Sequence, residues 1–158
     1  MASFLDYVEI KTKITSVFAF VMTLSFIFYK EQTIDILRTA IFFASMFLFD
    51  LTTTSINNYI DTKSNGQQLQ FKRRTALIII YVLFAVSAAL GIVLVILTDI
   101  IVMIVGGICF LCGVFYTYGP IPISRQPWGE ILSGIFYGLL IPFIILYINM
   151  PEEYYLTL

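Results

Sequence analysis

The sequence predicts an all-α fold, a polytopic membrane bundle of about five transmembrane helices forming one domain over residues 1–158. Three observations carry that prediction. Of the 158 residues, 59% are hydrophobic and only 12% charged, where a soluble domain is about half apolar and a quarter charged. The mean hydropathy is +0.94. The apolar residues fall into five long runs separated by short polar stretches. The net charge of −1 gives no basis for nucleic-acid binding.

Residues 1–13 are amphipathic and carry Lys11 and Lys13 at their end. No cleavable signal is expected, because a polar N-terminus runs straight into an apolar stretch without a small-residue cleavage site. The first span is Ile14 to Tyr29, short for a bilayer unless it borrows Glu9 to Lys13. After a polar turn at Lys30 to Thr33, the second span starts near Ile34 and runs for about 27 residues, its second half polar. Asn65-Gly66 marks the turn that follows. The third span, Ala76 to Leu97, and the fourth, Ile100 to Thr117, are separated only by Thr98-Asp99, which predicts a tight antiparallel hairpin. Gly106, Gly107 and Gly113 suit close helix packing. The stretch from Gly119 to Gly129 has three prolines and reads as a loop with Trp128 at the membrane interface. Glu130 to Met150 is the fifth span, interrupted by Pro142.

Orientation follows from the cations. With the N-terminus inside, the inner segments hold Lys11, Lys13, Lys63, Lys72, Arg73, Arg74 and Arg125, and the outer ones hold Lys30 and Arg38. Seven against two is a positive-inside bias, so the N-terminus and the 61–75 loop are expected to be cytoplasmic. Cys109 and Cys112 form a CxxC within the fourth span. Zinc would require further Cys or His ligands, and the chain has no histidine. The two cysteines therefore read as apolar filler.

Chemistry concentrates in residues 50–74. Asp50, Asn57 and Asp61 are spaced i, i+7 and i+11, within about 40° of one another on a helix. Such a stripe in a membrane span faces a cavity, a metal or a partner helix. Carboxylate and amide oxygens from Asp50, Asn57, Asn58 and Asp61 suit Mg²⁺. Lys63, Lys72, Arg73 and Arg74 suit phosphate oxygens. Together they describe a site for a lipid with a pyrophosphate head. The other reading is that the acids pair with neighbouring helices and the basic run only sets topology.

The segment Asn57-Asn58-Tyr59-Ile60-Asp61-Thr62-Lys63 resembles the first Asp-rich motif of the UbiA superfamily of intramembrane prenyltransferases. Asp50-Leu-Thr-Thr-Thr, Tyr116-Thr-Tyr-Gly-Pro-Ile-Pro-Ile-Ser, Gly129-Glu130, Ser133-Gly134 and the Glu9-to-Lys13 entry are similar to its MenA branch. The resemblance spans essentially the whole chain and corresponds to the N-terminal half of that fold. It implies transfer of a polyprenyl group from polyprenyl diphosphate to an aromatic quinone precursor such as 1,4-dihydroxy-2-naphthoate, with Mg²⁺ as cofactor, in a bacterial cell membrane. It further implies Asp61 and Asn57 as catalytic and metal residues, with Asn58 and Asp50 in the metal set. Lys63, Lys72, Arg73, Arg74 and Arg125 would bind the diphosphate, and Lys11 would help admit the acidic aromatic substrate. Tyr116 and Tyr118 would line the reactive centre or sit in the interfacial belt.

Two departures stand out. Asn58 and Asn65 replace family aspartates, and no second Asp-rich motif follows Asp61. The resemblance therefore implies the N-terminal half of such an enzyme, or one part of a split or oligomeric protein in which a second chain supplies the missing half. The alternative is a non-catalytic membrane subunit or a remnant of such an enzyme. Transport is disfavoured because no inverted repeat is visible.

Overall fold

The computed structural model describes residues 4–64, 69, 71–118, 123 and 126–150, and every regular element among them is helical. The order is α1 (Phe4–Tyr7), a 3₁₀ turn (Ile10–Lys13), α2 (Ile14–Glu31), α3 (Ile36–Ser64), α4 (Arg73–Leu97), α5 (Ile100–Thr117), α6 (Trp128–Ile135), a π turn (Phe136–Leu140) and α7 (Ile141–Asn149). Five of the resulting segments are long and apolar enough to cross a membrane. The chain is an integral membrane protein.

The first span does borrow its preceding residues. The 3₁₀ turn runs directly into α2, giving a 22-residue segment, Ile10–Glu31, about 33 Å long at 1.5 Å per residue. Helix α3 has 29 residues, about 43 Å, which exceeds the hydrocarbon thickness and lets its polar last turns reach beyond it.

The α4–α5 hairpin is as tight as its two-residue link requires. Asp99 caps α5, its carboxylate accepting from the backbone N–H groups of Ile101 (2.8 Å) and Val102 (3.4 Å) and from the Tyr147 hydroxyl. The fifth span does not break at Pro142. Proline has no N–H to donate one turn back, and the preceding turn widens instead, with the Ile141 N–H bonded to the Phe136 carbonyl five residues earlier.

Helix α3 packs most extensively against α4, and α7 closes back onto α2. Buried Ser45 and Ser87 lock the first contact reciprocally: each hydroxyl donates to the other's carbonyl, at 2.9 and 2.7 Å. In a membrane such interhelical bonds satisfy hydroxyls that lipid cannot. Asn149 ties α7 to the start of α3 by accepting from the Asp35 N–H (2.8 Å) and donating to the Thr39 hydroxyl (2.9 Å).

Two apolar clusters hold opposite ends of the bundle. Phe20, Ile27, Phe42, Leu94, Val102, Ile144, Ile145 and Ile148 form the larger. Tyr7, Val8, Leu51 and Ala76 form the smaller, at the end where α2 and α4 begin and α3 and α5 finish. That end also carries Lys11, Lys13, Lys72, Arg73 and Arg74, and is called the basic end below.

Candidate functional site

The site grows from the way the N-terminal segment folds over α3. Glu9 takes a left-handed backbone (φ 49°), a turn that reverses α1 into the 3₁₀ helix. The Tyr7 ring is buried and its hydroxyl donates to the Ser55 carbonyl at 3.1 Å. The Asn58 amide donates to the Tyr7 carbonyl at 2.8 Å, and Phe71 meets the Tyr7 ring edge-on at 5.4 Å. Burial, aided by nearby Tyr59, pushes the Tyr7 hydroxyl up to about 12.

With the segment pinned there, Lys13 turns inward. Its ammonium lies 2.9 Å from Asp50 Oδ1 and donates to the Thr54 hydroxyl. The Ser16 hydroxyl donates to Asp50 Oδ2 at 2.7 Å. Lys13 is buried and Asp50 partly so, with side-chain exposures of 6% and 14%. Local chemistry on α3 leaves this arrangement little freedom. Thr52, Thr53 and Ser55 bond back to carbonyls of their own helix, and Thr54, one turn after Asp50, faces Lys13.

This ion pair lies in the wall of a cavity of about 640 Å³ that runs from Glu9 and Asn57 at the basic end down to Ile141 and Ile144. The volume is that of a small-molecule site. Asp50, Thr53, Thr54 and Asn57 present one face of α3 to it. Tyr116 of α5, Ser133 of α6 and Tyr137 of the π turn supply the opposite polar groups, with 3.2 Å between the Tyr116 and Ser133 hydroxyls. Between them the wall is apolar and aromatic, including Phe42, Phe49, Ile92, Val95 and Phe110. Gly106, Gly107 and Cys109 also line it. Both cysteines are free thiols.

The residues expected from the sequence divide accordingly. Asp50, Asn57 and Tyr116 share the cavity. Asn58 is half-buried and committed to the Tyr7 carbonyl, and Asp61 is half-buried one turn beyond Asn57, toward the basic end. Among the described residues lining the cavity, neither Asn58 nor Asp61 appears. Tyr118 is 63% exposed, at the end of α5. Lys72, Arg73 and Arg74 are exposed at the start of α4, with the Arg73 guanidinium 5.1 Å over the Tyr59 ring, an orientation that fixes its fork. Arg125, Asn65-Gly66 and the Lys63 side chain lie outside the described residues.

Sequence reasoning missed Lys13, Ser16 and Thr54 as partners of Asp50. The available signal was charge balance: a lysine at the entry to the first span and an aspartate within the second need each other in a bilayer.

The donor set also bears on magnesium. Among the described residues no three His, Cys, Asp or Glu side chains gather into a metal-binding group. The charge of Asp50 is met by Lys13, which separates it from the expected metal set. Asn57 and Asp61 lie four residues apart on α3, and both side chains carry hard oxygen atoms. This suits Mg²⁺ held jointly by protein and phosphate oxygens, the usual mode for this ion.

Comparison with protein-family models, curated proteins and solved structures gave no match to this chain.

Proposed function

We propose that the chain acts in transfer of a polyprenyl group from polyprenyl diphosphate to an aromatic quinone precursor, the activity its Asn57-to-Lys63 and Tyr116-to-Ser124 sequences imply by resemblance. One observation supports this reading most: a small-molecule cavity inside a membrane bundle, mainly apolar and aromatic in its wall, with Asn57 at the end that carries Lys11, Lys72, Arg73 and Arg74.

The residues divide the work by chemistry. Lys72, Arg73 and Arg74, together with Lys63 and Arg125, hold the diphosphate, Arg through paired N–H donors and Lys as a point charge. Asn57 and Asp61 would hold Mg²⁺, which supplies charge neutralisation of the departing diphosphate. Phe42, Phe49, Ile92 and Phe110 receive the prenyl chain and keep water from the allylic cation as the C–O bond opens. The ring faces of Tyr116 and Tyr137 stabilise that positive centre. The aromatic carbon then attacks it, and the ring loses a proton. A second acidic motif, on a continuation of the same protein or on a further membrane chain, belongs to this reading, and the basic end faces the cytoplasm of a bacterial cell.

The test is a prenyl-transfer assay in vesicles containing the chain, with and without co-expressed membrane partners, polyprenyl diphosphate, 1,4-dihydroxy-2-naphthoate and Mg²⁺. Prenylated product is expected, reduced at least about 100-fold by Asp61→Ala. Product formation indifferent to Asp61→Ala removes that residue's role. No product under any combination favours the non-catalytic subunit.

A further inference from the structure

We propose that the Lys13–Asp50 pair is a recognition subsite for a neutral, hydroxyl-bearing aromatic ring lying in the cavity. Lys13 donates to one oxygen of such a ligand, and Asp50 accepts from its hydroxyl.

The argument starts from cost. Burying an ion pair in an apolar bundle carries a desolvation penalty that its own attraction does not reliably offset, and an apolar pair of similar size is often as stable. Here the pair borders a cavity of about 640 Å³. It is held in place by Ser16 on one carboxylate oxygen and by Thr54 on the ammonium. Ser16 stands in the first turn of α2, directly after the 3₁₀ turn that ends in Lys13, and Thr54 lies one turn after Asp50 on α3, so the four groups form one rigid patch. Such fixing leaves a donor and an acceptor side by side in a wall that is otherwise mainly apolar and aromatic.

Charge selects the ligand. The patch is neutral as a unit, one lysine against one aspartate. An anion would gain from Lys13 but meet repulsion from Asp50, and a cation would meet the reverse. A neutral ring carrying hydroxyl or carbonyl oxygens gains from both, and its flat body suits the aromatic wall of the same cavity, where Phe49 and Phe110 stack. The identity of this ring as the prenyl acceptor rests on the prenyl-transfer reading; the subsite does not. On that reading the ring hydroxyls of the acceptor meet the patch, and its carboxylate, which Asp50 would repel, lies away from it toward the basic end.

The test is calorimetric titration of the chain in neutral phosphatidylcholine nanodiscs, with empty discs as baseline. The probes are 1-naphthol, naphthalene and 1-naphthoate at neutral pH. In the wild type, 1-naphthol should bind about tenfold or more tighter than either of the others, the worth of one or two added hydrogen bonds. Lys13→Met/Asp50→Leu, an apolar replacement of the pair that preserves its volume and so its fold, should abolish that preference while still binding naphthalene. Equal affinity for naphthol and naphthalene in the wild type overturns the proposal. So does tightest binding of naphthoate, or a preference that survives in the double variant. If naphthol binds as expected and prenyl transfer is absent, the enzymatic reading fails and the subsite stands. If prenyl transfer proceeds in the double variant with an unchanged acceptor KM, the subsite fails and the enzyme stands.

Discussion

Gly113 of α5 lies directly against the ring of Phe49 on α3: a Cβ added at Gly113 would sit 2.7 Å from Phe49 Cζ. The ring cannot easily retreat, because Phe110 stacks on it with centroids 4.1 Å apart. Gly113→Ala should therefore destabilise the protein by about 1–3 kcal/mol through overpacking. Gly106→Ala, with no atom within 4 Å of the added carbon, should be tolerated. Thermal unfolding in detergent distinguishes the two, and equal Tm values would sink the packing argument.

The buried ion pair makes a second prediction, about stability alone. Lys13→Met leaves Asp50 in the bundle without its counter-charge and should cost about 3–5 kcal/mol. Adding Asp50→Leu should recover most of the loss, because the uncompensated charge is gone. Denaturation of both variants measures the coupling. A double variant no better than the single would show that the pair's charge is not what Lys13→Met disturbs.

Tyr7 gives a pH dependence at the alkaline side. Its folded-state value is raised from 10.0 to about 12, so the folded state holds the proton more tightly than the unfolded chain does. Its stabilising contribution is complete below about pH 10 and is lost as pH rises toward about 12. Tyr7→Phe should flatten the stability profile across that window. The variant also loses the hydrogen bond to the Ser55 carbonyl, at about 1 kcal/mol at neutral pH.

Asp99 acts at the acidic side. The Tyr147 hydroxyl, followed by the Ile101 and Val102 N–H groups, holds its carboxyl below the usual value of 3.8. A depressed value means the contribution is present above the ordinary carboxylate range and is lost as pH falls through the folded value. Asp99→Ala removes an N-cap and should cost about 1 kcal/mol near neutral pH. Its profile should converge with that of the wild type in strong acid, which pH-dependent unfolding can check.

Within the prenyl-transfer reading, Arg73→Gln should weaken diphosphate binding and raise the KM for polyprenyl diphosphate about tenfold or more, with a smaller change in kcat. The same substitution removes the contact over Tyr59. Tyr59→Leu is therefore the control: it loses that contact, at about 0.5–1 kcal/mol, and keeps the charge. If both variants shift the KM equally, Arg73 acts through Tyr59 rather than on the diphosphate.

The spans themselves were legible in the sequence. The boundaries of the fourth, Ile100 to Thr117, and the two-residue hairpin before it coincide with the structure, because bilayer thickness and hydropathy leave a continuous apolar run little choice. The polar stripe was legible as well, since helical periodicity places Asp50 and Asn57 on one face wherever the helix packs. Fixing Pro142 as an irregularity was also within reach, though a break and a π turn start from the same missing N–H and only the packing of α7 selects between them.

Partnership was not legible. Nothing local distinguishes Lys13 from Lys11, yet the turn at Glu9 and the docking of Tyr7 on α3 bury one and leave the other exposed. Nor does spacing say that Gly113 serves packing while Gly106 and Gly107 border a cavity. The sequence by itself determined the number of spans, their lengths and which face of α3 is polar, since those follow from per-residue transfer energies and a fixed helical period. Only the tertiary structure decided what that face meets, because the Lys13–Asp50 contact joins residues 37 positions apart and depends on how α2 and α3 rotate against each other.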